Sequence, residues 1–153
     1  MTDVLSLWHT VRRLPAGDRL FSRAFAFRAP YFGSVRPRFT VIEPHHTELV
    51  IRDRRRVRNH LGTVHAIALC NGLEAAMGAL AEASIPKGRR WIPQGMEVSY
   101  TAKAAGDVTC IAETSPETWT DEDPDVPVRV RGELADGTVV VEGVILLWVT
   151  TKN

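Results

Sequence analysis

The longest apolar stretch of the chain, residues 59–84, predicts a buried helix. Leu, Met, Ala and Ile fill it, and no acid or base lies between His65 and Glu74 or between Glu74 and Glu82. Apolar residues fall on nearly every side of its helical projection, which is typical of a helix that the rest of the protein encloses. We expect the helix to begin near Thr63, whose hydroxyl can cap it. Glu74 then lies in an apolar stripe, where a carboxylate costs free energy unless it is paired, hydrogen-bonded or protonated.

Two amphipathic helices and a hairpin are predicted ahead of this central helix. Apolar residues recur at helical spacing from Val4 to Leu14, and again to Phe27 after Asp18, which can cap the second helix. These helices are expected to pack on the outside of a sheet. Alternating polar and apolar positions then predict two paired strands at residues 36–43 and 48–52.

Four more strands are predicted after the central helix, with Arg89 and Arg90 in the turn that precedes them. Their alternating apolar positions cover residues 96–103, 108–112, 126–134 and 139–149, and Asp136-Gly137 marks a hairpin turn. The last run is apolar on both faces, so one face must cover the helix and the other must meet the N-terminal helices or another subunit. A curved antiparallel sheet wrapped around one long central helix satisfies these demands. We therefore predict an α+β fold with a single domain over residues 1–153, of which residues 1–34 form a helical extension.

Composition and charge argue against several classes of protein. The chain is 44% hydrophobic and 24% charged, as in ordinary globular proteins, and its formal net charge of +1 gives no nucleic-acid signature. No apolar run reaches the roughly 18 residues of a membrane span, and no export signal is evident. Cys70 and Cys110 lie in apolar surroundings and are expected to be reduced thiols, which suits the cytoplasm. His45 and His46 point to opposite sides of an extended chain, so we expect no metal site and no cofactor.

The arginines of residues 52–58 are open to two interpretations. Five of these seven residues are arginine. A solvated strand end and a docking site for the phosphates of a small ligand explain them equally well, since arginine forms bidentate bonds to phosphate. Nucleic acid is a weaker interpretation, because no aromatic interleaving or DNA-binding motif accompanies them.

Four residues around the start of the central helix form a candidate catalytic group. Gly62, His65 and Glu74 follow Asn59 at offsets of three, six and fifteen. The first amides of a helix lack intrahelical partners and carry partial positive charge, so they can hold a developing oxyanion. Gly62 lets a ligand approach the backbone closely. Glu74 lies about eleven residues into the helix, roughly 16 Å along its axis, so only a second copy in a two-fold dimer can bring it to a helix start.

These residues resemble the signature of a known family. The sequence N-H-L-G-T-V-H-A, with an acid nine residues after the His, is similar to the motif of hotdog-fold acyl-CoA thioesterases of the PaaI-like type. The segments P-Y-F-G, V-R-N-H-L-G-T-V-H-A and G-M-E-V-S-Y-T-A-K-A resemble a branch of that superfamily described as a domain of unknown function. The resemblance covers nearly the whole chain. It implies a hotdog fold and hydrolysis of an acyl-CoA or related thioester in a cleft between two subunits.

The resemblance also implies a role for individual residues. Asn59 corresponds to the amide that positions water or the thioester, and the backbone N–H of Ala66, after His65, polarises the thioester carbonyl. Glu74 corresponds to the general base or nucleophile supplied by the partner subunit. The chain differs from the family motif in having Ala66-Ile67 for Gly-Gly, Glu for the commoner Asp, and Pro93-Gln94 near the position of an assisting Ser or Thr. The substrate-binding residues that we expect are Gln94, Gly95, Met96 and, facing the phosphates of CoA, Arg58, Arg89 and Arg90.

Each assignment has an alternative. Glu74 could be a structural acid bonded to Asn71, the His65 ring could simply pack, and Asn59 could cap the approach to the helix. At the level of the protein, the alternative is a non-catalytic protein that binds acyl-CoA or an acyl carrier, which the Ala66-Ile67 sequence favours. A hotdog dehydratase is the third and weakest candidate function, because no separate Asp/His pair is evident for that chemistry. The expected partners are a thioester and a second copy in a homodimer or a dimer of dimers, with neither nucleic acid nor membrane.

Overall fold

The computed structural model describes residues 4–120 and 123–152, which form three α-helices and one six-stranded sheet. The helices are α1 (Val4–Val11), α2 (Gly17–Arg28) and α3 (Ala66–Ser84), and the strands are β1 (Arg38–Glu43), β2 (His46–Ile51), β3 (Arg89–Tyr100), β4 (Val108–Glu113), β5 (Asp125–Glu133) and β6 (Val139–Thr151). The strand order in the sheet is β1-β2-β4-β5-β6-β3, and every neighbouring pair is antiparallel. The predicted α+β hotdog architecture is therefore confirmed.

α3 forms the centre of the core, as its apolar sequence predicts. It lies across β1, β2, β4 and β5. Leu73, Met77 and Leu80 are 0% exposed. Gly72 permits the close approach, because a Cβ there would lie only 2.3 Å from the Ile51 Cδ1 atom on β2. α3 has the length and apolar composition of a membrane span, but 61% of it is buried within the protein, as expected of a core helix.

The two N-terminal helices extend the core at the β1 end of the sheet. α2 packs on β1, and α1 packs on α2 and α3. Aromatic contacts join them, with ring centroids 5.1 Å apart for Trp8 and Phe21 and 4.7 Å apart for Phe25 and Phe39. The outer face of β6 is consequently not covered by these helices, and its Trp148 side chain is 40% exposed.

Asp18 does not cap α2 as predicted, because the helix begins one residue earlier, at Gly17, and its N-cap is Ala16. The Asp18 carboxylate instead accepts a hydrogen bond of 2.5 Å from the Arg38 Nε atom on β1. This ion pair lowers the pKa of Asp18 and ties α2 to the first strand.

β3 is an edge strand and is longer than its sequence predicts. Arg89 and Arg90, expected in a turn, pair with Thr151 and Thr150 of β6. Pro93 and Gly95 are residues that disfavour a regular strand. The pairing with β6 shifts register between them, which accommodates both, and a proline is tolerated in an edge strand. β3 is extended because β6 is long enough to pair with it from Arg89 to Tyr100.

One face of β3 points towards α3. Trp91 and Tyr100 pair with Val149 and Val141, which are buried on the inner face of the sheet. The Trp91 Nε1–H donates a hydrogen bond of 3.0 Å to Glu82, near the end of α3. The strand therefore runs beside the length of the helix.

Candidate functional site

The loop before α3 is organised by the side chain of Asn59. Its Oδ1 atom accepts hydrogen bonds from the backbone N–H groups of Leu61, at 2.9 Å, and Thr63, at 3.2 Å. Gly62 closes the turn with a φ of +78°, which is easily adopted only by glycine, and a Cβ there would meet open space. Asn59 thus holds its own loop together, as in the alternative assignment, and its role towards water or a thioester stays a prediction.

α3 begins at Ala66, and its N-cap is His65 rather than the predicted Thr63. The His65 Nδ1 atom accepts a hydrogen bond of 3.1 Å from the Ile67 N–H. Thr63 is unsuitable because its hydroxyl is engaged with the Asn59 side chain at 3.0 Å. With Nδ1 as acceptor, we assign the proton of the neutral imidazole to Nε2.

The first amides of α3 are available to a ligand. Among the residues that the structure describes, the N–H groups of Ala66 and Ala68 find no hydrogen-bond acceptor. They lie at the positive end of a 19-residue helix, where a developing negative charge is stabilised. The start of α3 therefore offers two backbone donors, and their role towards an oxyanion stays a prediction.

Substitution of His65 tests its capping role. We expect His65→Ala to lower the free energy of unfolding by about 1 kcal/mol, because an N-cap acceptor is lost. His65→Asn should retain most of the wild-type stability, because asparagine also caps helices. Urea unfolding at fixed protein concentration measures the difference. If the Ala and Asn variants are equally stable, the ring does not act as a cap.

A cavity of about 220 Å³ lies beside His65, between α3 and the turn at Pro30–Ser34. Asn71 lines it and donates hydrogen bonds to Ser34 Oγ, at 3.0 Å, and to the carbonyl of Tyr31, at 3.3 Å. Its Oδ1 atom is buried and has no donor among the described residues. The sequence interpretation gave Asn71 only as a partner for Glu74. An amide in an apolar helix is the same signal that singled out Glu74, and it could have identified Asn71 as a site residue.

The three arginines expected at one phosphate site lie near opposite ends of α3. Arg58 lines the His65 cavity, and Asp53 binds its guanidinium through two bonds of 2.6 and 3.1 Å, which raise its pKa. Arg89 and Arg90 begin β3, next to Trp91 and the end of α3. A single chain therefore does not bring the three side chains together.

Glu74 is half-buried on the side of α3 that faces β3. It lies one turn after Cys70, whose sulfur is 3.1 Å from the Tyr100 hydroxyl, and one turn before Gly78, where a Cβ would be 3.5 Å from the Trp91 ring. Its carboxylate has no hydrogen bond or ion pair with any residue that the structure describes. Glu74 lies eight residues beyond Ala66, about 12 Å along the helix axis, so the two do not meet within one chain.

The remaining predicted site residues are on β3. Met96 pairs with the buried Ile145, so it faces α3, and it is 36% exposed at the sheet edge. Gln94 and Gly95 form the irregular part of the strand, and Gln94 donates to Asp125 on β5 at 3.4 Å. Gln94 is thus engaged with the sheet rather than with α3 of the same chain.

Tyr100 contacts Cys70, one helical turn before Glu74, and the sequence interpretation did not single it out. The hydrogen bond with Cys70, together with burial, raises the pKa of Tyr100 to about 12, so the phenol keeps its proton at neutral pH. Its alternating position on the inner face of β3 is the signal that could have identified it.

An apolar cavity of about 420 Å³ lies one helical turn beyond Glu74. Its lining comes from α1, α2, the turn at Pro30–Ser34, α3 and β3, and includes Phe21, Phe25, Phe32, Gly78 and Trp91. Glu82 and Arg28 supply polar groups there. The mostly apolar lining suits an apolar ligand.

Known structures share this fold. A crystal structure from a genomics programme is 38% identical to the chain, with a TM-score of 0.86, and the match covers 97% of this chain and 99% of the other. A Pseudomonas aeruginosa protein of unknown function, described as a probable thioesterase, is 22% identical with a TM-score of 0.76. The match covers 91% of this chain and 97% of the other. A thioesterase family protein from Silicibacter pomeroyi is 17% identical with a TM-score of 0.71. The match covers 86% of this chain and 96% of the other.

The sequence comparisons give a family rather than an activity. A family described as a domain of unknown function (DUF4442) matches residues 17–149. No curated protein matches the chain. The predicted membership in a branch described as a domain of unknown function is confirmed, and the predicted fold is shared with structures of thioesterase family proteins.

Proposed function

The chain belongs to the DUF4442 family, and from this premise we propose that it is a thioester hydrolase of the PaaI-like type whose site forms between two copies of the chain. The observation that carries the proposal is the position of Glu74. A half-buried carboxylate in the core helix, with no partner among the described residues, costs stability and is typical of a functional group. It faces β3, one of the two edge strands of the sheet.

A second copy completes the site. β3 is a twelve-residue edge strand, and Met96 and Tyr100 on its inner face are 36% and 51% exposed. Such an edge invites pairing with another strand, and two-fold pairing is the commonest way to satisfy it. Antiparallel pairing of two β3 edges sets the two α3 helices side by side in opposite directions. The Glu74 carboxylate of one copy then approaches the Ala66 amide of the other.

The chemistry follows from these groups. The Glu74 carboxylate takes a proton from a water molecule, and the resulting hydroxide attacks the thioester carbonyl. The oxyanion that forms is held by the Ala66 N–H of the other copy. As the oxyanion collapses, the C–S bond breaks, and the leaving thiolate receives the proton from Glu74. The carboxylic acid product and the thiol are released without a cofactor.

The substrate we propose is an acyl-CoA. Its acyl group occupies the apolar cavity next to Gly78, which favours an extended or aromatic acyl group over acetyl. In the antiparallel dimer, Arg89 and Arg90 of one copy lie towards the end of β3 that is nearer Arg58 of the other. The three arginines can then share one set of phosphates. The free thiols Cys70 and Cys110 fit a cytoplasmic protein.

Two measurements on the purified protein test this proposal. We expect a dimer or a dimer of dimers in solution, and release of free thiol from extended acyl-CoA or aryl-CoA substrates in preference to acetyl-CoA. Light scattering gives the mass, and a thiol-reactive dye gives the rate. A monomer, or a rate no higher than the uncatalysed background with every substrate, contradicts the proposal.

A non-catalytic binding protein is the second candidate, and one observation favours it. The Asn59 Oδ1 atom, which the family resemblance assigns to water or thioester, is already bonded to the N–H groups of Leu61 and Thr63. Saturable binding of acyl-CoA without thiol release is the result that this candidate requires.

A further inference from the structure

A third cavity, separate from the His65 cavity and the apolar cavity, is lined by six arginines. It has a volume of about 660 Å³ and lies between α2, the residues leading into β1, and the segment after β2. Two arginines come from each of these elements: Arg19, Arg23, Arg36, Arg38, Arg52 and Arg54. No lining residue in the described part of the chain is acidic. This concentration of charge is local, because the whole chain has a formal net charge of only +1.

Few of these charges are neutralised by residues that the structure describes. Arg38 forms an ion pair with Asp18. Arg54 donates through Nη2 to the carbonyl of Val35 at 3.0 Å, but its Nε atom is buried and has no acceptor among the described residues. Burial lowers the pKa of Arg54, and the charges of Arg36, Arg52 and Arg56 lower it further. A buried donor without an acceptor, among repelling like charges, is unfavourable until an anion binds.

We propose that this cavity binds a small organic anion that carries two or more phosphate groups. Guanidinium groups bind phosphate through paired hydrogen bonds, and arginines that converge from three elements can contact several phosphates at once. The volume is in the range of sites for nucleotide-sized ligands. The arginines line a concavity rather than a stripe along the surface, which favours a small anion over a polynucleotide.

Two kinds of molecule could supply the phosphate groups that this cavity binds. One is the phosphorylated nucleotide end of CoA, which would link the cavity to the proposed hydrolase and would place these phosphates here rather than at Arg58, Arg89 and Arg90. The other is a free nucleoside polyphosphate. The proposal for the cavity holds with either source and does not require that the protein hydrolyse thioesters.

Isothermal titration calorimetry on the full chain tests the site with four probes: inorganic pyrophosphate, ADP, adenosine 3′,5′-bisphosphate and CoA. In the test variant, Arg23→Gln is combined with Arg52→Gln, because both side chains are exposed and line the cavity. The control combines Arg13→Gln with Arg55→Gln, which removes the same charge from exposed positions outside the cavity lining. We expect the test variant to raise the dissociation constant of a bound probe at least about tenfold, and the control less than about twofold. Added salt should weaken binding to the wild type.

Thermal unfolding provides a second readout. Saturating pyrophosphate, at about a hundred times its dissociation constant, should raise the wild-type Tm by roughly 5 to 10 °C, and the test variant should lose most of this shift. Without ligand the test variant should be at least as stable as the wild type, because repulsion in the cavity is relieved. This result also shows that the variant folds.

Competition identifies the source of the phosphates. Displacement of pyrophosphate by CoA and by adenosine 3′,5′-bisphosphate, with weaker CoA binding to the test variant, supports CoA. Displacement by ADP with unchanged CoA binding supports a free nucleotide. The proposal is overturned if none of the four probes binds, or if the control loses as much affinity as the test variant. Titration with CoA requires no turnover, so its outcome is separate from that of the thiol-release assay.

Discussion

Glu74→Gln is expected to lower kcat for acyl-CoA hydrolysis by about 10² to 10⁴-fold, with a much smaller change in KM. Gln has nearly the shape of Glu but cannot take a proton from water, so the variant removes the general base and little else. Thiol release over a range of substrate concentrations separates the two constants.

Stability distinguishes this result from a structural effect. Because the Glu74 carboxylate has no partner among the described residues, its replacement by a neutral amide should leave the urea midpoint unchanged or raise it. Glu142→Gln is the matched control, since it makes the same change at an exposed position of β6 that lines none of the cavities described above. Equal kcat in the Glu74 variant and the wild type would remove Glu74 from the mechanism.

Leu73→Ala is expected to lower the free energy of unfolding by about 2 to 5 kcal/mol. Leu73 is 0% exposed in the middle of α3, and its truncation loses apolar burial and leaves a cavity between helix and sheet. A loss of this size is a large part of the roughly 5 to 15 kcal/mol that stabilises a typical domain.

Urea unfolding at fixed protein concentration measures this change, because the stability of an oligomer depends on concentration. Ile67→Ala is the control on the same helix, since Ile67 is 57% exposed. Its cost should be well below that of Leu73→Ala. If the two variants are equally stable, α3 is not the centre of the core.

Periodicity alone was sufficient for the enclosed helix and the strands on either side of it. The apolar run after His65 has no alternative to burial, and the structure encloses α3 as expected. Alternation placed the β1–β2 hairpin and the last three strands within a few residues of their observed bounds. These elements follow from local patterns, because the side-chain period of a helix or strand is fixed by its backbone.

Element boundaries depended on interactions that local patterns do not contain. Thr63 has the chemistry of an N-cap, but the Asn59 side chain binds its hydroxyl, and His65 caps α3 instead. Arg89 and Arg90 precede a proline and a glycine, yet pairing with β6 makes them part of β3. In both places a tertiary or loop contact outweighed the local preference.

The sequence by itself determined that a carboxylate would lie in a buried helix, because Glu74 interrupts an apolar run that folding must enclose. Only the tertiary structure decided what surrounds it and which arginines converge. Arg58 is separated from Arg89 and Arg90, whereas arginines from residues 19 to 54 meet in one cavity. The physical reason is that helical and strand periods specify which way a side chain points, while the packing of elements distant in the chain specifies what it meets.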